Sequence, residues 1–493
     1  MLLYKAGNED LINPTLCCKF AVINRKSMEL PILFENTMRQ LLGDSYENFR
    51  EALLDEPAVS IRLNRDKYAA ILDYEPVPWA TNGYYLPERP QFTFDPLLHS
   101  GCYYVQEASS MFVEQAVRQH LNGARVALDL CAAPGGKSTL LRSLLPDDCV
   151  LVSNEVMRPR AQILAENITK WGHPRCIVTS NYPADFTPLG PVFDLILVDA
   201  PCSGEGMFRK DEVAVSEWSA ENVKVCWQRQ RTILADIWPT LRPGGLLIYS
   251  TCTFNTQEDE ENVEWMINEL GAELLSIATE KAWGITSSLM EEVPYAYRFL
   301  PGRTRGEGFF LAVLRKNENS VSMEEVACNS KKKKDKIKGK QPVVAVPSEC
   351  KQWLVDNNTY SYRTVGNEVV ALPVDMESLH AMLSERLHLV KSGITLAELK
   401  GRDALPTHEL AMSTALRSDA FACCELTYLD ALRYLRRETI TLPAEAPRGF
   451  VLVTFRNIPL GFVKNLGNRA NNLYPNEWRI RSGYLPNDEV RVV

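Results

Sequence analysis

Val126-Ala-Leu-Asp-Leu-Cys-Ala-Ala-Pro-Gly-Gly-Lys-Ser138 is the stretch on which the fold turns. Val126 to Leu130 reads as a buried strand, Cys131 to Lys137 as a turn of small residues, and Ser138 to Leu145 as the opening of a helix. Gly135 and Gly136 allow backbone geometries and close approaches that a Cβ would block. The helix start offers free N–H groups to an anionic or polar ligand. Gly136-Lys137-Ser138 invites comparison with a nucleotide phosphate loop. The Walker pattern, however, needs a glycine five positions before Gly136, and Cys131 stands there. Pro134 adds a constraint that such a loop does not carry, so an ATPase is excluded.

Outward from this turn, strand and helix patterns alternate. Val150–Ser153, Cys176–Thr179, Phe193–Val198 and Leu246–Ser250 read as strands. Arg158–Trp171, Val223–Leu241 (ended by Pro243-Gly244-Gly245) and Gln257–Leu270 read as helices, and Phe309–Arg315 closes the unit as a last strand. Such alternation predicts a mainly parallel sheet with helices on both faces, and ligands at the carboxyl ends of its strands. Glu155, Asn181 and Asp199 each stand at such an end. An acid in the position of Glu155 can bind ribose hydroxyls. Asp199-Ala-Pro-Cys202 and Ser250-Thr-Cys252 put two cysteines on the same rim. For a single cysteine, burial is the ordinary explanation; two on one rim, beside an aspartate and hydroxyl residues, favour chemistry.

Composition bounds the alternatives. The chain has 493 residues, 45% hydrophobic and 24% charged, which suits a globular protein of about three domains. No stretch approaches the roughly 18 apolar residues a membrane helix needs. Residues 1–27 lack the basic-then-apolar pattern of a signal peptide, so a cytoplasmic location is expected. The 13 cysteines form no C-x-x-C pair and six histidines form no H-x-x-x-H spacing, so neither a disulfide framework nor a metal site is expected. A net charge of −8 speaks against wholesale coating of nucleic acid but leaves room for a local basic surface.

The flanks differ in pattern. Residues 1–27 read as a disordered extension. Leu33, Phe34, Met38, Leu41 and Leu42, then Phe49, Leu53 and Leu54, open an amphipathic region at 28–117. The sheet unit spans 118–316. Residues 317–346, poor in apolar side chains and carrying Lys331 to Lys334, read as a solvated linker. A small α/β region at 347–425 is expected to precede a β-rich module at 426–493, which holds Phe450–Phe455.

Three segments together, Cys131-Ala-Ala-Pro-Gly-Gly-Lys137, Asp199-Ala-Pro-Cys-Ser-Gly204 and Ser250-Thr-Cys-Thr253, resemble the Nol/Nop/Sun RNA cytosine-5 methyltransferases. Val105-Gln-Glu-Ala-Ser-Ser110 and Gly306-Glu-Gly-Phe-Phe310 fit the same pattern. The likeness covers about Met28 to Lys316. Pro406-Thr-His-Glu-Leu-Ala-Met412, Gly461-Phe-Val-Lys464 and Asn472-Leu-Tyr-Pro475 extend it, less specifically, to the bacterial branch that acts on small-subunit ribosomal RNA. The resemblance implies a Rossmann-like methyltransferase domain, a small N-terminal α+β RNA-binding domain and a C-terminal region ending in a PUA-like RNA-binding module. It implies S-adenosylmethionine bound by Cys131, Ala132, Ala133, Pro134, Gly135, Gly136 and Lys137 with Glu155, Arg160, Asn181 and Asp199. It makes Cys252 the nucleophile, has Cys202 assist product release, and sets Asp199 against the cytosine N3 region, where donating a hydrogen bond would require a raised pKa. A thiolate at carbon 6 activates carbon 5, dividing one hard step into two easier ones. Small-subunit ribosomal RNA, or the assembled subunit, is the expected partner of a monomeric protein. Transfer RNA, a DNA methyltransferase using Cys202, and a non-catalytic ribosome-assembly factor are the competing readings. Arg298, Arg303, Arg305, Arg479 and Arg481, with Tyr84, Tyr85, Tyr103 and Tyr104, are candidates for RNA contact, though a core tyrosine or solvated charge is the ordinary alternative for each.

Overall fold

The structure, a computed structural model, describes residues 29–317, 345–401 and 403–493. The expected extension at 1–27 and nearly all of the lysine-rich linker lie outside these residues. The predicted strand after Arg125 forms as β1 (Val126–Asp129) and is followed by α1 (Gly136–Leu144). Next come β2 (Val150–Asn154), α2 (Arg158–Trp171), β3 (Cys176–Thr179), β4 (Phe193–Asp199), α3 (Ala220–Ile237), β5 (Leu241–Thr251), α4 (Glu260–Leu270) and β6 (Phe309–Lys316).

The strands lie in the order β3-β2-β1-β4-β5-β6, parallel except for β6, which runs antiparallel to β5. Their side chains alternate between two buried faces. Ala127, Leu151, Val178, Leu195, Ile248 and Val313 point into one core, and Leu128, Val152, Ile177, Ile196, Leu247 and Ala312 into the other. A sheet covered on both sides by helices needs this continuous apolar run. Each fully buried Leu or Ile there contributes roughly 1.5–3 kcal/mol.

Several boundaries differ from those expected, three of them for a clear local reason. The first helix starts at Gly136, not Ser138, because Gly135 (φ 118°) makes the turn into it. The long helix is Ala220–Ile237 rather than Val223–Leu241. Ser219 caps its start by accepting from the Asn222 N–H, and Pro239 follows its end in a short 3₁₀ turn. Leu241 to Gly245 therefore belong to β5 and do not merely end a helix.

The flanking regions are woven in more tightly than separate modules would be. An antiparallel sheet of Val59–Leu63, Gly83–Leu86 and Tyr103–Val105 forms the N-terminal domain. Its Ile61, Leu63 and Tyr84 share one core with Leu432, Tyr434 and Val451 of the C-terminal module. In the C-terminal half, 360–365, 368–373, 394–400 and 403–406 make one four-stranded sheet. One further strand, β7 (Leu389–Ser392), leaves that region and pairs antiparallel with β3 at the edge of the central sheet. The expected division at 425/426 also cuts through a sheet: Ala422–Glu425 runs parallel to Gly449–Phe455 and is hydrogen-bonded to it. Periodicity within each segment carried no sign of these long-range pairings. Among the described residues, no helix is long and apolar enough to cross a membrane.

Candidate active site

The carboxyl ends of β1 to β5 form one rim. On it, Cys131 to Gly135 turns from β1 into α1, with Ala132 N–H bonded to Asn154 O at 2.8 Å. Pro134 O accepts from Asn167 Nδ2 at 2.8 Å, and Ala133 O from Arg160 Nη2 at 2.9 Å. Both donors lie on α2, so that helix clamps the turn. Tyr104 lies against the other side of the turn; a Cβ on Gly136 would sit 3.3 Å from its ring. The free N–H groups of α1 then face the rim.

Beneath the turn lies a carboxylate that the sequence reading passed over. Asp129, the last residue of β1, is fully buried; Oδ2 accepts from Ser138 Oγ at 2.6 Å while Oδ1 has no partner. Burial pushes its carboxyl up to about 7, and Asp199 and Glu155 add to the effect. Ser153 Oγ, at the end of β2, is also buried without a partner. A polar acid ending an apolar strand was the available signal. Two orphaned polar groups below a glycine turn fit a ligand with polar substituents, because such groups are otherwise costly to bury.

Glu155 is nearly buried, accepts from Met157 N–H at 2.9 Å and faces Arg160 Nη1 at 3.3 Å. Arg160 thus ties Glu155 to the turn, and its guanidinium is already engaged by both. Asn181 departs from expectation. Its side chain accepts from His388 N–H at 2.9 Å and donates to His388 O at 3.2 Å, holding the residue that precedes β7. The Asn181 amide, proposed as a cofactor ligand, thus fastens the edge strand to β3 with one donor and one acceptor.

The two cysteines meet. Cys202 Sγ and Cys252 Sγ are 3.2 Å apart, and both residues are half-buried at the rim. The hydrogen bond to Cys252, and then burial, push the Cys202 thiol well up. Cys202 is therefore held as a thiol at neutral pH. Lys137, from the glycine turn, reaches Asp199 Oδ2 at 2.8 Å. Burial works against its ammonium, but the Asp199 carboxylate and the nearby Cys252 sulfur outweigh that and raise its pKa. Asp199, the final residue of β4, also accepts from Ser250 Oγ at 2.8 Å. One cation, one carboxylate and two sulfurs thus converge on a single edge of the rim.

Most of the proposed RNA contacts outside the rim are otherwise occupied. Arg298 is 1% exposed and lies among Asp259, Glu260 and the Phe254 carbonyl. Tyr84, Tyr85 and Tyr103 are buried; Tyr85 donates to Arg305 O, and Tyr103 to Asp95. Arg305 lies over the Tyr85 ring and pairs with Glu75. Arg303, Arg479 and Arg481 are exposed. Among the described residues, no group of three or more His, Cys, Asp or Glu side chains is placed to hold a metal ion.

A parallel sheet of this order, with a glycine turn after its first strand and paired cysteines after its fourth and fifth, defines a Rossmann-like methyltransferase. Residues 117–315 match the family described as 16S rRNA methyltransferase RsmB/F. Residues 30–108 match the N-terminal domain of 16S rRNA methyltransferase RsmF, and 421–480 the methyltransferase RsmF PUA domain. The ribosomal RNA small subunit methyltransferase F of Salmonella agona (strain SL483) is 31% identical over 475 residues, 92% of this chain and 97% of that one. Its counterpart in Aliivibrio fischeri (strain MJ11) is 31% identical over 84% of this chain and 87% of that one. This chain belongs to the ribosomal RNA small subunit methyltransferase F family. Among solved structures, a methyltransferase homolog protein from Pyrococcus horikoshii is similar at 29% identity and a TM-score of 0.50, covering 58% of this chain and 94% of its own. The protein PH0851 shares the fold at 23% identity and a TM-score of 0.53, over 58% of this chain and 66% of its own.

Proposed function

We propose that this chain methylates carbon 5 of a cytosine in small-subunit ribosomal RNA, with Cys252 as nucleophile and S-adenosylmethionine as methyl donor. The observation that carries the reading is the pair of sulfurs 3.2 Å apart beside the Lys137–Asp199 ion pair. Bound against the glycine turn, the cofactor would supply an electrophilic methyl group. Gly135, the start of α1, Glu155 and the orphaned Asp129 are the residues suited to hold it, with Arg160 steadying Glu155.

The chain's own residues do the rest. Cys252 Sγ adds to carbon 6 of the flipped base, which makes carbon 5 nucleophilic. As this bond forms, negative charge develops on the N3–O2 edge of the ring, and the Lys137 ammonium stabilises it. Asp199 already accepts from Lys137 and Ser250, so it acts as an acceptor and orients the cytosine amino group. After methylation, the carbon-5 proton passes to a solvent base, the electron pair of that C–H bond restores the ring double bond, and the Cys252–carbon-6 bond breaks to release Cys252 as thiolate. Cys202, whose sulfur lies 3.2 Å away, assists that release by donating its S–H to the departing thiolate. The family's PUA domain and exposed arginines such as Arg479 and Arg481 would bind RNA.

The test is trapping on a small-subunit RNA fragment containing 5-fluorocytosine, from which carbon 5 cannot lose its substituent. Wild type and Cys202→Ala should give a band that survives denaturing gels, and Cys252→Ala none. The reverse pattern would move the nucleophile to Cys202. An adduct on transfer RNA alone would replace the substrate.

A further inference from the structure

We propose that Glu205 is a positioning residue that holds the loop carrying Cys252 in register with Cys202. The proposal rests on the reading of Cys252 as nucleophile. Glu205 is 2% exposed, three residues beyond Cys202, and has no part in the chemistry above. Its Oε2 accepts three hydrogen bonds: Thr253 Oγ1 at 2.7 Å, Phe254 N–H at 2.8 Å and Asn255 N–H at 3.0 Å. Its Oε1 accepts one from Trp218 Nε1 at 3.0 Å. The next residue, Gly206, donates its N–H to Cys252 O at 2.8 Å. The Cys252 segment is therefore grasped from residue 252 onward, by a main-chain donor at residue 252 and a carboxylate at residues 253 to 255.

A second set of contacts braces the first. Ser203 Oγ lies 3.0 Å from Thr253 Oγ1, and Ser203 N–H donates to Glu258 Oε2 at 3.0 Å. Glu258 Oε1 accepts from Asn255 Nδ2 at 2.8 Å. Every link joins one cysteine loop to the other, or to a group that touches both. The separation of the sulfurs is thus set by this network together with the hydrogen bond between them.

The position calls for a carboxylate. One oxygen receives three donors, which suits a charged acceptor, and the other receives a fourth. A glutamine of the same shape has one acceptor oxygen and one NH₂ group. In either orientation its NH₂ meets donors, either the Trp218 indole N–H or the N–H groups after Cys252. Because Trp218 is half-buried and packs on Phe34 edge-to-face, Trp218→Phe removes its donor while keeping an aromatic ring there. The conflict can thus be created and then relieved.

The experiment compares the full-length wild type, Glu205→Gln, Trp218→Phe and the double variant. Readouts are the rate of adduct formation on 5-fluorocytosine RNA, cofactor affinity, and binding of phenylarsine oxide, which bridges two thiols only at close range. We expect Glu205→Gln to slow adduct formation at least tenfold and weaken arsenical binding, with cofactor affinity within twofold. The double variant should recover to within threefold of Trp218→Phe. Should Glu205→Gln fail to fold, the comparison of the double variant with Trp218→Phe decides alone. Wild-type rates in Glu205→Gln, or a loss that Trp218→Phe does not relieve, would overturn the proposal. A wild type that forms no adduct through Cys252 would instead overturn the underlying assignment, whatever Glu205 does.

Discussion

Arg298 offers a sharp separation between a binding role and a structural one. In the sequence it looks like one of three arginines leading into the last strand, ready for phosphate. In the structure its guanidinium is 1% exposed, 3.1 Å from Asp259, paired with Glu260 and bonded to Phe254 O at 2.8 Å. Arg298→Met keeps most of the volume and removes the charge. It leaves two adjacent buried carboxyls and an unpaired carbonyl, and breaking a buried pair in this way costs about 3–5 kcal/mol. At roughly 2–4 °C per kcal/mol for a unit of this size, the melting temperature should fall by about 10 °C. The penalty also depends on pH. Burial already raises the Asp259 carboxyl, with Arg298 opposing, so the variant raises it further. A carboxyl raised in the folded state contributes stability at low pH that is lost as pH climbs through its folded value. The deficit should therefore be larger at pH 8 than at pH 5. Thermal unfolding at both pH values, with RNA binding measured below the transition, is the assay. A variant that melts like wild type but binds RNA tenfold more weakly would refute this placement of Arg298.

Asn181→Ala should leave cofactor affinity within threefold while lowering stability by about 1 kcal/mol, the worth of the lost bonds to His388; calorimetry with the cofactor and urea unfolding separate the two, and a tenfold loss of cofactor affinity would restore Asn181 as a ligand. In Asp129, raised to about 7 by burial, the neutral form favours folding below the ordinary carboxyl range, and that stability drains away as pH rises toward 7. Asp129→Asn should flatten this slope between pH 5 and 8 in urea titrations, and an unchanged slope would count against the assignment. Gly206→Ala places a Cβ 2.8 Å from Cys252 O and 2.9 Å from Gly308 O, so the main chain under the nucleophile must shift; single-turnover methyl transfer should fall about 100-fold, and full activity would mean that this contact sets nothing.

The central sheet and its rim were legible because local rules suffice for them. Apolar strands, a double glycine and two cysteine segments announce a parallel sheet with a site at its carboxyl edge. Family resemblance then supplied the roles. What stayed hidden depends on residues far apart in the chain. Nothing near Asn181 tells that His388 will occupy its amide, since 207 positions separate them. Arg298 and Tyr103 were candidates for RNA contact on side-chain type alone, although Tyr297, Phe299, Cys102 and Tyr104 flank them. Only their partners Glu260 and Asp95 make burial tolerable. Glu205 gives no sequence signal beyond its place beside a glycine. Its importance comes entirely from the four donors that fold around it.

The pairing of β7 with β3 bears on how the protein is made. Leu389 lies opposite Thr179, so the outer edge of the catalytic sheet waits for a strand synthesised 210 residues later. Until that strand leaves the ribosome, β3 presents bare amide and carbonyl groups along an apolar ribbon, the kind of template on which two nascent chains can stick together. The C-terminal half therefore shields that edge only once it has itself been made. Cutting it away to obtain a minimal catalytic fragment should yield inclusion bodies before it yields a loss of RNA affinity.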